Sequence, residues 1–218
     1  MKFQIYLLNI SKFLFSITCG LILFTGCSSD DDGAKDTDPI VTDPVIVKSQ
    51  FKSNAEGWII TGDAQGSYSE ASYSPDGGVI DGYIYADDDV QGGVWYFTSP
   101  KDYHGKKSQY YGATLEFSLY QKSLRTNQFE SDDIIFKNGD LQITYVHKKV
   151  DYPGAEWTNY SVKISKDYWL KGGYNSGIMA TESEIRAVLS NVTQFSIRGE
   201  FETGPDTGGL DNVKIIIE

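Results

Sequence analysis

Apolar and polar side chains alternate with a period of two along most of this chain. In Ala113-Thr114-Leu115-Glu116-Phe117-Ser118-Leu119-Tyr120 the odd positions are apolar and the even ones mostly polar. The pattern returns over 157–165, where Val162 and Ile164 alternate with Ser161, Lys163 and Ser165, and again over 193–201. Val213, Ile215 and Ile217 supply one face of a last strand. Alternate side chains of a pleated strand point to opposite faces, so each segment predicts a strand with one buried side. Shorter candidates lie at 83–86, 93–98, 134–137 and 141–146, and turn signals such as Asp76-Gly77-Gly78 and Asn138-Gly139-Asp140 separate them. A helical period occurs over 181–189, where Thr181 and Glu184 form a capping box ahead of Ile185, Val188 and Leu189. One short helix among about ten strands predicts an all-β fold, an antiparallel β-sandwich or jelly roll.

Composition sharpens this reading at two points. Fifteen Tyr, eleven Phe and four Trp suit half-buried pleated surfaces. The net charge of -11 argues against nucleic acid as a partner, because phosphate binding needs clustered Lys and Arg.

The N-terminus breaks from the strand pattern. Lys2 precedes a charge-free run from residue 13 to residue 24, whose 12 residues fall short of the roughly 20 that cross a bilayer. Extending the run back to Phe3 would place Lys12 in mid-span, at roughly 2.5–3.5 kcal/mol. Residues 1–26 therefore read as a signal peptide. Leu23-Phe24-Thr25-Gly26-Cys27 resembles the lipobox of bacterial lipoproteins, which implies that Cys27 becomes the lipidated mature N-terminus. Once Cys19 leaves with the signal, Cys27 has no disulfide partner, and acylation removes an otherwise exposed thiol. The implied partner is a membrane held through the N-terminal lipid. Residues 27–50 read as an acidic, disordered tether, with Asp30-Asp31-Asp32 near its start and Asp38-Pro39 and Asp43-Pro44 within it. An acidic run directly after the cysteine resembles the surface-export signal of some Gram-negative lipoproteins. The expected location is the bacterial outer membrane, facing outward.

The domain predicted over 51–218 carries a family resemblance. Its markers are Glu56-Gly57-Trp58, Val94-Trp95-Tyr96-Phe97-Thr98-Ser99-Pro100, Tyr110-Tyr111-Gly112, Glu156-Trp157-Thr158, Ile197-Arg198-Gly199-Glu200-Phe201 and Leu210-Asp211-Asn212-Val213. In this order they resemble the laminin IV type A domain, also called laminin B. That resemblance implies a fold similar to the jelly rolls of galactose-binding and carbohydrate-binding modules. It implies an extracellular recognition role rather than catalysis. The chain differs in carrying a tether and no flanking cysteine-rich repeats.

Candidate chemistry is sparse. His104 and His147 stand in no nucleophile motif, and no phosphate loop or HExxH occurs. Asp87-Asp88-Asp89 lacks the spacing of a calcium-binding helix-loop-helix and reads as a solvated turn. The resemblance places Asp211 where related modules hold a structural Ca²⁺, yet Lys52 stands where they often carry an acid. Asp211 is thus either a metal ligand or a turn cap, and no other cofactor is implied. Arg198 and Glu200 share a strand face and read as an exposed ion pair, opposite Ile197 and Phe201. Trp58 and Trp157 are expected to anchor the core. Tyr68, Tyr73, Tyr83, Tyr85, Tyr110, Tyr111, Tyr152 and Tyr174 divide between packing and stacking on sugars. The expected function is non-catalytic recognition of a glycan or matrix-like polymer by a lipid-anchored protein. The alternative is a structural or protein-interaction module of a surface complex.

Overall fold

In the computed structural model, which describes residues 45–122 and 127–217, the alternating segments become strands of two antiparallel sheets. In chain order they are β1 (Val45–Ser49), β2 (Ile59–Thr61), β3 (Ser69–Glu70), β4 (Ser72–Ser74), β5 (Tyr83–Asp88), β6 (Tyr96–Thr98) and β7 (Thr114–Gln121). There follow β8 (Ile134–Asn138), β9 (Leu141–Tyr145), β10 (Thr158–Lys163), β11 (Leu170–Lys171), β12 (Gln194–Arg198) and β13 (Asp206–Ile216). The first sheet runs β10-β7-β13-β5-β4, with β1 paired to the C-terminal half of β13; the second runs β11-β9-β8-β12-β6-β2-β3. The chain passes back and forth between the sheets, as an all-β sandwich of jelly-roll type requires. The described helix, α1 (Glu182–Leu189), starts as predicted: Thr181 Oγ1 accepts from the Glu184 amide at 3.3 Å, and Glu184 Oε2 accepts from the Thr181 amide at 2.9 Å.

The inward faces meet in one aromatic core. Leu115, Phe117 and Leu119 of β7, Ile84 of β5 and Leu210 of β13 pack from one side, and Phe97, Phe136, Phe195 and Ile197 from the other. Phe136 stacks on Phe195 at 4.6 Å, while Trp58 meets Phe195 edge-on at 5.9 Å. Trp58 is fully buried, as expected, and its indole N–H donates to Ser49 Oγ at 2.9 Å, so its polar end is satisfied.

That bond corrects a boundary. The tether was expected to run to residue 50, but Val45–Ser49 is β1, held in register by Val47 opposite Ile215 and Ser49 opposite Val213. The three apolar residues Val45-Ile46-Val47 are enough to add an edge strand. The signal peptide 1–26, Cys27 and the tether up to residue 44 lie outside the described residues. Among those described, no helix is long and apolar enough to cross a membrane.

Candidate functional site

The outer face of the first sheet is built by the alternation that buries Leu115, Phe117 and Leu119. Glu116, Ser118 and Tyr120 point the other way, with Ser161 opposite Glu116 and Asn159 opposite Ser118 on β10. On the other flank, β13 departs from strict pairing between Asp211 and Lys214. Asn212 sits in this bulge at φ 53°, a backbone region that Asn tolerates better than most residues. The bulge sends Val213 inward while keeping Asn212 and Lys214 on the outer face. A groove of about 450 Å³ results, lined by Lys48, Glu116, Ser118, Asn159, Asn212 and Lys214, with Ile80 at its rim. Ser118 Oγ donates to Asn159 Oδ1 at 2.7 Å, and Lys214 Nζ pairs with Glu116 at 2.8 Å.

Aromatic rings continue this face. Tyr120 meets Trp157 edge-on at 4.8 Å, and Tyr83 lies 5.4 Å from Trp157 and 5.7 Å from Tyr120, with Tyr85 behind it at 5.8 Å. Gly209 of β13 lies beneath, where any Cβ would collide with the Tyr120 ring. Burial first, and then contact with the Tyr83 hydroxyl, raises the Tyr120 phenol above its ordinary value.

Trp157 is therefore not a core anchor. Thr158 lies opposite the inward Leu119, so Trp157 falls on the outward face beside Tyr120, half-buried, with its indole N–H donating to Gly77 O at 2.9 Å. Of the tyrosines considered, Tyr83 and Tyr85 join this cluster, Tyr110 and Tyr152 are buried, Tyr73 and Tyr111 pack against the core, and Tyr68 is exposed. Tyr120 escaped notice because it follows Leu119 at the end of the most regular strand pattern.

Asp211, 1% exposed, holds the loop at the groove's rim. Its Oδ2 accepts from the Val79 amide at 2.7 Å, and its Oδ1 accepts from the Asn212 amide at 2.6 Å. Burial raises its carboxyl, and the amides of Val79, Asn212 and Ile80 pull it back. Both oxygens are thus engaged by main-chain donors, as a loop cap requires. Lys52 contributes its carbonyl to the Tyr73 hydroxyl at 3.0 Å.

Two further groups lie at the sheet ends. Arg198 was expected to pair with Glu200 in solvent, but it is fully buried and pairs with Asp133 at 2.9 Å. Its guanidinium lies 4.4 Å from the centre of the Phe129 ring and 4.5 Å from that of Phe201. Alternation rightly turned Arg198 away from the inward Ile197, but β12 ends at Arg198, so Glu200 does not share its strand face. Phe201 lies on its side and not opposite, and Phe129 and Asp133 cover it. Asp133 also accepts from the main-chain N–H of His147 at 2.6 Å and from its ring Nδ1 at 3.2 Å. His104 stands 3.2 Å from Ser99 Oγ, and burial lowers its pKa.

Glu200 belongs instead to an acidic group with Asp63 and Asp88, their carboxylate oxygens within 4.8 Å of one another. Burial, followed by the charges of Asp63, Asp206 and Asp88, pushes Glu200 up to about 8. Burial, followed by Asp88, pushes Asp206 to about 7, against hydrogen bonds from Trp95 and Gln121. The run 87–89 is not the solvated turn expected there: Asp87 and Asp88 close β5, Asp87 opposite Thr207 and Asp88 buried, and only Asp89 lies beyond the strand. No spacing rule could have joined residues from three separate connections.

Comparison with known proteins places this geometry in context. The model of the family described as laminin B (domain IV) matches residues 96–217. A basement membrane proteoglycan of Caenorhabditis elegans is 25% identical over 114 residues, which cover 52% of this chain and 3% of that protein's length. Among solved structures, the L4b domain of human laminin alpha-2 superposes with a TM-score of 0.57 at 13% identity, covering 79% of this chain and 99% of that one. A family 11 carbohydrate-binding module from Clostridium thermocellum, in complex with a mixed-linked tetrasaccharide, gives 0.47 at 15% identity over 78% of this chain and 93% of its own.

Proposed function

The chain belongs to the laminin B (domain IV) family, and from that premise we propose that it is a lipid-anchored surface protein whose folded domain recognises a glycan or matrix-like polymer without turning it over. The observation that carries this reading is the continuity of the Trp157–Tyr120–Tyr83 rings with the polar groove on one sheet face. Apolar ring faces suit the C–H faces of sugars, and Ser118, Asn159 and Asn212 offer neutral donors and acceptors for hydroxyls. The groove's lining has one carboxylate, Glu116, and Lys214 already neutralises it. Hydrolysis of a glycosidic bond calls for two carboxylates, so recognition fits this surface better.

Affinity electrophoresis of the full-length protein through gels containing neutral polysaccharides tests the reading. Retardation is expected in at least one gel. Trp157→Ala and Asn159→Ala should each weaken it at least tenfold while leaving the fold intact. Equal mobility in every gel, or variants that bind as the parent does, would overturn it.

The anchor has its own test. The chain's N-terminal features support acylation at Cys27, so Cys27→Ser should abolish incorporation of a labelled fatty acid and shift the protein out of the membrane fraction. Undiminished labelling would remove the tethered part of the proposal.

A further inference from the structure

We infer that Asp63, Asp88 and Glu200 form a calcium site at the end of the sandwich where the β2–β3, β5–β6 and β12–β13 connections meet. Asp63 follows β2, Asp88 closes β5, and Glu200 lies between β12 and β13, so three chain segments distant in sequence deliver oxygens to one point. The group is more than an acidic patch. Glu200 is fully buried, faces the other two carboxylates, and neither of its oxygens has a hydrogen-bond partner. Asp88, 3% exposed, uses Oδ1 to accept from the Val90 amide at 2.8 Å and leaves buried Oδ2 without a partner. Folded proteins rarely strand buried carboxylate oxygens in this way, because each loses its hydration without replacement.

The surrounding chain is shaped to the group. Gly93, at φ 97°, passes so close over Asp63 that any Cβ would collide with its carboxylate. The neighbouring Arg198 directs its Nη1 to Asp133 and its Nη2 to the Phe129 carbonyl, and forms no ion pair with the group. A cavity of about 490 Å³ lined by Asp87, Asp88, Lys122, Asp206 and Thr207 lies against the Asp88 side of the group. The donors are all carboxylate oxygens, a set that suits a hard cation and lacks the imidazole or thiolate that zinc prefers. Magnesium usually keeps several of its waters, and a site this buried favours the larger and more readily dehydrated calcium ion. The site is separate from Asp211, whose oxygens main-chain amides already occupy, and it does not depend on the glycan reading.

Isothermal calorimetry of calcium chloride into EDTA-stripped, full-length protein tests the assignment, with a thermal melt under the same conditions. Saturable binding and a rise in melting temperature of several degrees are expected in the parent. Glu200→Gln and Asp88→Asn should each weaken binding at least tenfold, and Asp211→Asn should leave it unchanged. Near-UV circular dichroism in EDTA reports whether each variant is folded. Should either fail to fold, Asp63→Asn, at the partly exposed member, takes its place. Absence of calcium binding in the parent, parental affinity in folded Glu200→Gln, or loss of binding in Asp211→Asn alone would each overturn the inference.

Discussion

Asp133 and Glu200 are equally withdrawn from water, at 1% and 0% exposure, and both adjoin Arg198. Their surroundings could hardly differ more. Asp133 receives the Arg198 guanidinium at 2.9 Å, the His147 amide at 2.6 Å and the His147 ring at 3.2 Å. Glu200, two residues beyond Arg198, receives no donor at either oxygen. A buried carboxylate must be compensated, because the charge has lost its water. Around Asp133 the fold supplies that compensation, which makes the acid a structural member that fixes residues 129–133 against β12. Around Glu200 the fold supplies more carboxylates, and compensation must come from a proton or a cation.

The sharpest way to break this contrast is to remove the guanidinium. Arg198→Met keeps much of the side chain's bulk among Phe129, Tyr152 and Phe201 but leaves Asp133 buried without its counter-charge. The expected loss is about 3–5 kcal/mol in urea denaturation at neutral pH, as when one partner of a buried ion pair is removed. Adding Asp133→Leu should recover a good part of it, since the uncompensated charge is then gone. A single variant as stable as the parent would show that Asp133 does not need its partner.

A smaller effect of opposite sign is expected at Glu200. In metal-free protein its pKa is raised from 4.5 to about 8, and that of Asp206 from 3.8 to about 7. The native state therefore holds protons that the unfolded chain releases at lower pH. The stability this confers is full below the unfolded values and is lost as pH rises through the folded ones. In EDTA the parent should lose stability between about pH 5 and pH 8, and Glu200→Gln should lose less. The difference should be on the order of 2 kcal/mol, less than the full shift would give, because Asp63 is only partly buried as a residue and screening near the surface reduces the effect. Parallel pH profiles would mean that Glu200 is compensated after all.

The contrast also marks how far the sequence could be read. Periodicity found the long strands, and the Thr181–Glu184 capping box found the helix, because both are local patterns that the chain carries on its surface of contact with itself. The inward face of β7 followed from the same rule, and Trp58 from its place in the Glu56-Gly57-Trp58 marker. Trp157 did not, because a large aromatic is at home both in a core and against other rings on an outer face, and its ring partners Tyr120 and Tyr83 are distant in sequence. Arg198 was rightly turned away from Ile197, yet alternation could not say that the strand ends there, that Phe201 folds back onto the guanidinium, or that Phe129 and Asp133 cover it. β1 was hidden because an acidic, proline-bearing segment leads directly into Val45-Ile46-Val47. The site at Asp63, Asp88 and Glu200 left no trace in spacing, since its members share only a position in space.

The smallest expected effect refines the same comparison at His147. The ring packs edge-on against Tyr160 at 4.6 Å and Tyr145 at 4.9 Å, so His147→Phe should keep its place in the aromatic cluster. What it removes is the ring's bond to Asp133 Oδ2 at 3.2 Å, while the main-chain donor at 2.6 Å and the Arg198 guanidinium remain. A net hydrogen bond of this kind contributes about 1 kcal/mol. The substitution also eliminates Nε2, which is buried without a hydrogen-bond partner, and that gain offsets part of the loss. A decrease of about 0.5 kcal/mol in urea denaturation is therefore expected, several times less than for Arg198→Met. A loss as large as that of Arg198→Met would mean that the ring, and not the guanidinium, is what makes burial of Asp133 tolerable.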